Sequence, residues 1–256
     1  MSRSNIHVFE NPRELARGAA ERFAGEAAKS IREKGGFTVA LAGGSTPKAL
    51  YELLATGYRD ALDWNGVHAF FGDERTVPPD HEDSNYRMAC EALLSQVPVG
   101  SVRRMRGELD PRKAATLYEQ ALRTFFGGTP RFDLVLLGFG EDGHTASLFP
   151  STPALDVTDR FVVENPVERL GTIRLTLTVP AINAAKRIIF LVAGEGKARA
   201  LEKILEGDTN PREYPAKLVR PKGGATWMVD RAAARLLGEI ASIDRNSCAG
   251  GASALR

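Results

Sequence analysis

The stretch FTVALAGGSTPKALYELL, residues 37–54, holds one complete unit of the predicted fold. Its apolar beginning, Phe37 to Ala42, is typical of a buried strand, the glycines form a turn, and a helix follows from Pro47. The same succession recurs along the chain, with further strands predicted at 67–71, 132–137, 173–178, 187–192 and 226–229. Such alternation indicates an α/β fold with an open, mainly parallel sheet and helices on both faces.

Further helices are predicted around this sheet. They run from Asn11-Pro12 to near Gly35-Gly36, after Asn85, after Pro111, and over 231–240 as a closing helix. The sequence contains no internal repeat and no low-complexity linker that would divide it. We therefore expect a single domain over residues 1–242 and a mobile tail over 243–256, which has little to bury.

Composition excludes several classes of function. The chain has 256 residues, of which 43% are hydrophobic, and this is enough for a substantial core. Its formal net charge is only +2, so we do not expect nucleic acid as a partner. Cys90 and Cys248 are too few for a disulfide framework or a cysteine-rich metal site. With no secretory signal and no run of about 18 apolar residues, we expect no membrane contact and a soluble, cytoplasmic protein.

The loops after the strands are where chemistry is expected, because ligands of open parallel sheets bind at the carboxyl ends of the strands. In GGSTP, residues 43–47, the predicted helix has Thr46 as its cap and Pro47 as its first residue. Free N–H groups, the helix dipole and two hydroxyls make Gly43, Gly44, Ser45 and Thr46 a candidate anion site. The lysine of a Walker A loop and the G-x-S-x-G pattern of a hydrolase nucleophile are both missing. The alternative is an ordinary capped helix after a glycine turn.

The loop GFGEDGHTASLFP, residues 138–150, has the G-x-G-x-x-G spacing of a dinucleotide-binding turn. Glu141 and Asp142 would repel a diphosphate, however, and the prolines at 150 and 153 leave little room for a crossover helix. We favour an acid/base pair in which the Asp142 carboxylate orients the imidazole of His144. The alternative is that His144 only holds the loop through hydrogen bonds.

Charged residues follow three other strands. Lys197 and Arg174 are candidate phosphate ligands, and Asp73, Glu74 and Arg75 are suited to sugar hydroxyls and to developing negative charge. The alternatives are a solvated lysine, a charge at a strand edge, and a surface cluster of salt bridges. No metal site is expected, because the four histidines show no H-x-x-x-H spacing and no cysteine pair joins them.

Four stretches in the same order resemble motifs of the 6-phosphogluconolactonase family. They are LAGGSTPKALYELL, FFGDERTVPPDHEDSNYRMA, DLVLLGFGEDGHTASLFP, and RLTLTVPAIN with FLVAGEGKA, and the resemblance spans roughly residues 6–240. It implies a Rossmann-like fold similar to glucosamine-6-phosphate deaminase and a reaction without a cofactor. The implied reaction is hydrolysis of 6-phospho-D-glucono-1,5-lactone to 6-phosphogluconate in the oxidative pentose phosphate pathway.

The resemblance also implies roles for the candidate residues. His144 would be the general base for the water that attacks the lactone carbonyl, with Asp142 beside it. Ser45, Thr46, Arg174 and Lys197 would hold the 6-phosphate, and Asp73 and Arg75 would line the sugar end. The implied partner is a small phosphorylated sugar lactone, bound by a monomer or a weak homodimer.

Two other functions are open at this point. The related deaminases have an acidic residue just before the proline that closes the D-G-H loop, whereas this chain has Phe149 there. They also lack the long GDERTVPPDHEDSNYRMA pattern. A sugar-phosphate sensor that kept the anion site but lost catalysis is the second alternative. The retained pair of Asp142 and His144 favours the enzyme over the sensor.

Overall fold

The structure is a computed structural model that describes residues 5–238. Its strands are β1 (Ile6–Phe9), β2 (Phe37–Leu41), β3 (Val67–Phe71), β4 (Asp73–Arg75), β5 (Ser101–Val102), β6 (Leu134–Leu137), β7 (Val162–Val167), β8 (Thr172–Leu177), β9 (Ile188–Val192) and β10 (Thr226–Asp230). Its helices are α1 (Pro12–Lys34), α2 (Ser45–Gly57), α3 (Asn85–Ala89), α4 (Pro111–Phe126), α5 (Val179–Asn183) and α6 (Ala198–Leu205). A π-helix over Cys90–Leu94 continues α3.

Seven strands form a parallel sheet in the order β1-β10-β9-β6-β2-β3-β5. Successive side chains of each central strand enter two different cores, as the period of two requires. In β2, Val39 and Leu41 pack with α1, α2 and α3, whereas Ala40 packs with α4, α5 and α6. The prediction of an α/β fold with a mainly parallel sheet between helices is confirmed.

A second sheet differs from the sequence prediction. Strand β8 was expected within the parallel alternation, but it lies in a three-stranded antiparallel sheet of order β4-β8-β7. Only a short turn, closed by Gly171 at φ 58°, joins β7 to β8, and a parallel connection would need a long crossover. The sequence did not predict β7, because Asn165 and Pro166 are unfavourable in strands, nor the four-residue β1.

The ends of α1 agree with prediction. The Asn11 side chain accepts the Glu14 N–H at 3.0 Å, Pro12 is the first helical residue, and Gly35 ends the helix at φ 77°. No helix within residues 5–238 is long and apolar enough to cross a membrane.

The predicted closing helix is wrong for residues 231–238, which form turns. The Leu237 N–H donates to the Ala234 carbonyl, three residues back, and the Gly238 N–H donates to the Glu206 carboxylate. These donors are therefore not available for helical bonds to carbonyls four residues back. Residues 239 and 240 and the predicted tail, 243–256, lie outside the described residues.

Candidate active site

A cleft of about 480 Å³ opens at the carboxyl ends of β2, β6 and β9, beside the small antiparallel sheet. The candidate residues from the sequence, except Glu74 and Asp142, line it: Gly43, Gly44, Ser45, Thr46, Asp73, Arg75, His144, Arg174 and Lys197. Asp142 stands behind His144 and contacts its ring. The structure therefore brings together residues from five separate loops and strands.

Helix α2 begins earlier than predicted. Gly44 is its N-cap, with φ 99°, and Ser45 is its first residue, so Thr46 is not the cap and Pro47 is the third helical residue. The physical reason is the positive φ of Gly44, which turns the chain out of β2 two residues sooner than a capping threonine would. The first helical bond joins the Lys48 N–H to the Gly44 carbonyl at 3.1 Å. The N–H groups of Ser45 and Thr46 thus lack helical acceptors at the cleft wall.

Gly43 is needed for a close approach rather than for a special backbone angle. A Cβ at this position would lie 1.9 Å from the Asn85 Oδ1. Asn85 in turn donates from Nδ2 to the Asp73 carbonyl at 2.9 Å and to the Asp73 Oδ1 at 3.2 Å. The glycine turn therefore packs directly on the residue that holds Asp73.

The glycines of residues 138–143 shape a tight loop around His144. The Gly140 N–H donates to the His144 carbonyl at 2.9 Å, and the Gly143 N–H donates to the Gly140 carbonyl at 3.0 Å. A Cβ on Gly140 would lie 2.0 Å from the His144 Nδ1 and 2.6 Å from the Asp142 Oδ1. No crossover helix follows β6, because the chain continues into turns and a 3₁₀ segment at Pro153–Asp156. This loop therefore lacks the helix N-terminus that a dinucleotide turn requires.

His144 is held on two sides. Its Nδ1 lies 2.5 Å from the Asp142 Oδ1, and the Phe149 ring stacks on the imidazole with centroids 4.2 Å apart. Because an ionised carboxylate only accepts hydrogen bonds, we assign the proton to Nδ1, which leaves Nε2 as the basic nitrogen. His144 thus has the tautomer that a general base needs.

Electrostatics keep His144 neutral at pH 7. All contributions together lower its pKa from 6.5 to about 4, and burial is the largest cause. The negative charge of Asp73 acts in the opposite direction, and the positive charges of Lys197, Arg174 and Arg75 lower the pKa further. The same three cations therefore face both the cleft and the imidazole.

Two of these cations oppose each other across a strand pair. Arg75 of β4 and Arg174 of β8 are direct neighbours in the antiparallel register, an arrangement that is unfavourable for like charges. The Arg174 Nε is buried and has no hydrogen-bond partner among residues 5–238. Burial is the largest cause that lowers the pKa of Arg174, and the charge of Arg75 is the next.

The third cation, Lys197, has an acidic neighbour. Its Nζ lies 3.7 Å from the Glu141 Oε1. An anion in the cleft would relieve this concentration of positive charge.

The acidic residues of β4 have separate environments. Asp73 faces the cleft and accepts a 2.7 Å hydrogen bond from the Ser147 hydroxyl. Glu74 lies on the other side of the strand and accepts the N–H groups of Asn85 and Tyr86, at 2.7 and 2.8 Å. Both are buried, so they do not form a surface cluster of salt bridges. Glu74 stabilises the start of α3, whereas Asp73 contributes to the site.

Three residues of this site were not predicted from the sequence. Asn85 and Ser147 orient Asp73, and Arg169 donates to the Asp142 Oδ2 at the edge of the cleft. The only signal for Asn85 was its place after Ser84, which caps α3. Ser147 and Arg169 had none, because their contacts join segments far apart in the chain. Residues 5–238 contain no group of three or more His, Cys, Asp or Glu that is suited to a metal ion.

Comparisons with known proteins give one consistent result. Residues 10–228 match the model of a family described as glucosamine-6-phosphate isomerases/6-phosphogluconolactonase. The chain is 49% identical over 212 residues to a 6-phosphogluconolactonase of Synechocystis sp., which covers 80% of this chain and 86% of that protein.

Solved structures extend this result to the fold. A 6-phosphogluconolactonase from Trypanosoma cruzi has a TM-score of 0.82 at 32% identity, with 91% of this chain and 96% of that chain covered. A structure described as a monomeric glucosamine-6-phosphate deaminase has a TM-score of 0.75 at 25% identity, covering 91% of this chain and 99% of that one. The fold is therefore similar to those of both branches, whereas the sequence identity is higher to the 6-phosphogluconolactonases.

Proposed function

The chain belongs to the glucosamine-6-phosphate isomerase/6-phosphogluconolactonase family, and on this premise we propose that it hydrolyses 6-phospho-D-glucono-1,5-lactone to 6-phosphogluconate. This reaction belongs to the oxidative pentose phosphate pathway. The observation that carries the proposal is the single cleft in which a neutral imidazole faces Arg75, Arg174 and Lys197. The imidazole suits ester hydrolysis, and the cations suit a phosphorylated substrate.

Water is the nucleophile in the proposed mechanism. The His144 Nε2 takes a proton from a water molecule as its oxygen bonds to the lactone carbonyl carbon, giving a tetrahedral oxyanion. The carbon then loses the ring oxygen, which receives the proton from the imidazolium and becomes a hydroxyl. No covalent enzyme intermediate is needed, since a lactone is already an activated ester.

The 6-phosphate binds away from the reacting carbonyl. The N–H groups of Ser45 and Thr46, with Arg174 and Lys197, surround it, and this binding energy fixes the ring against His144. The buried Arg174 Nε, which has no partner in the described part of the chain, supports this role. Asp73 and Arg75 line the sugar end.

The identity of the loop residue before Pro150 disfavours the deaminase alternative. Phe149 occupies the position at which the deaminases have an acid, and its ring packs on His144. The loop therefore offers an apolar support for the imidazole instead of a further acid/base group.

The first experiment is direct. Decay of freshly generated 6-phosphogluconolactone is followed by NMR, with and without the protein, and faster decay with the protein is expected. If decay is not accelerated, ammonia release from glucosamine 6-phosphate is assayed next. Tight binding of the lactone without turnover would instead identify a sensor.

His144→Ala should lower kcat by at least a hundredfold, because general-base assistance contributes about 10²–10⁴-fold. KM should change little, since the phosphate contacts remain. Single-turnover and steady-state kinetics measure both quantities. Wild-type kcat in this variant would contradict the assignment of the base.

Lys197→Met and Arg174→Met should mainly raise KM, because each removes a cation from the proposed phosphate site. We expect about tenfold per variant. Lys203→Met, on the exposed side of α6 and outside the cleft, is the matched control and should leave KM unchanged. An unaltered KM in both cleft variants would place the phosphate elsewhere.

A further inference from the structure

Arg169 makes contacts that the proposed reaction has not used. It lies in a 3₁₀ turn, Glu168–Leu170, between β7 and β8, and Gly171 closes this turn with a 2.9 Å hydrogen bond to the Glu168 carbonyl. Its guanidinium donates to the Asp142 Oδ2. The same small sheet that carries Arg75 and Arg174 thus sends a third arginine to the site.

With Arg169 in place, both oxygens of Asp142 are engaged. The Oδ1 lies 2.5 Å from the His144 Nδ1 and accepts the His144 backbone N–H at 3.1 Å, while the Oδ2 accepts from Arg169. The carboxylate can therefore rotate only if one of these bonds breaks. Rotation would take the acceptor away from Nδ1.

Arg169 also contacts the second support of the imidazole. Its guanidinium carbon lies 5.2 Å from the centroid of the Phe149 ring, and that ring stacks on His144. Arg169 thus touches both groups that hold the imidazole but makes no hydrogen bond to the imidazole itself.

We propose that Arg169 is a positioning residue that holds Asp142 and thereby fixes the orientation and the Nδ1–H tautomer of His144. Its kinetic role rests on the proposed lactonase reaction, whereas its effect on the tautomer does not. The side chain is 50% exposed, and exposed ion pairs contribute little to stability. Loss of the Arg169 side chain should therefore disturb the geometry of the site more than the stability of the fold. Small misplacements of catalytic groups lower rates strongly.

Arg169→Met and Arg169→Lys test this role. The Met variant keeps much of the apolar stem but loses the donor, and its kcat should fall about tenfold with KM nearly unchanged and melting temperature unchanged. The Lys variant keeps a donor and should recover most of the rate. Arg212→Met is the matched control, because Arg212 is 51% exposed and pairs with Asp156 outside the cleft.

A readout independent of turnover is the ring ¹⁵N spectrum of His144 in histidine-labelled protein. The chain has only four histidines, so His144→Asn assigns the signals. The wild type should show the Nδ1–H tautomer, and Arg169→Met should add the Nε2–H tautomer. Asp142→Asn should change the tautomer too, and Arg169→Met should have no further effect in that background.

Several results would overturn the proposal. A raised KM with unchanged kcat would make Arg169 a substrate ligand, and a lower kcat with an unchanged tautomer would show that it does not act through Asp142. Wild-type behaviour of Arg169→Met in both measurements would make it a solvated surface residue. A wild-type protein without lactonase activity would refute the proposed function, while the ¹⁵N spectra would still decide the role of Arg169.

Discussion

At the scale of single residues, the cations that are proposed to hold the substrate also contribute to the low pKa of His144. Burial is the largest cause of its low pKa, and Lys197, Arg174 and Arg75 lower it further. A bound phosphate would neutralise these charges, so the substrate would remove part of the cause of the depression. Asp73, which acts in the opposite direction, would be unaffected.

Phosphate binding should therefore raise the pKa of His144 from about 4 toward its ordinary value near 6.5. Because only the neutral imidazole is a base, the acidic limb of kcat should lie at higher pH than that of kcat/KM. An NMR pH titration of His144 with and without inorganic phosphate measures the shift directly. In Lys197→Met the starting pKa should be higher and the shift smaller. Equal titrations with and without phosphate would show that the anion binds away from these cations.

The chemical groups of this site were predictable from the sequence, but not all of the residues that hold them in place were. Asp142, His144, Arg174 and Lys197 carry ionisable side chains in or after predicted strands, and this signal is local. Arg169 carried no such signal, because it reaches Asp142 only through the hairpin of the second sheet.

At the scale of the element, α1 contains two glycines with opposite environments. Gly25 is exposed, with no atom within 4 Å of a Cβ placed there, whereas a Cβ on Gly18 would lie 2.5 Å from the Phe9 ring of β1. The same substitution should therefore have opposite effects at two sites in one helix.

Gly25→Ala should raise the free energy of unfolding by about 0.5–1 kcal/mol, because alanine loses less backbone entropy in a helix. Gly18→Ala should lower it by about 1 kcal/mol, since the overpacking against Phe9 exceeds the gain in helix propensity. Urea denaturation measures both. A stabilised Gly18→Ala would show that Phe9 moves aside without cost.

At the scale of the whole molecule, a buried carboxylate that joins several elements lies at the edge of the main sheet opposite the candidate active site. Asp133, just before β6, is buried at the amino-terminal edge. It accepts from the Lys34 Nζ at 2.8 Å, the Lys186 Nζ at 2.9 Å and the Thr38 N–H at 2.9 Å, and so joins α1, β2 and the approach to β9. Burial alone would raise the pKa of Asp133, but these hydrogen bonds lower it, and the net direction is down.

Asp133→Asn should lower the free energy of unfolding by about 2 kcal/mol at pH 7, the scale of a hydrogen bond to a charged group. The folded-state pKa is below the unfolded value near 4, so this contribution is complete above that value and is lost as pH falls through the folded pKa. Denaturation at several pH values measures it, and kcat should not change.

Glu26→Gln is the control on the same edge. It removes a more exposed pair with Arg187 and should cost less than about 1 kcal/mol. An equal loss in the two variants would mean that Asp133 has no special role in joining the elements.

The sequence by itself determined the alternation of strands and helices, both ends of α1, and the chemical groups at the strand ends, because these depend on local periodicity, capping and residue type. Tertiary structure alone decided the place of β8 and the turns that replace the closing helix. It also decided the opposition of Arg75 and Arg174 and the contact of Arg169 with Asp142. These features depend on contacts between segments distant in the chain, and no local pattern encodes which segments will meet.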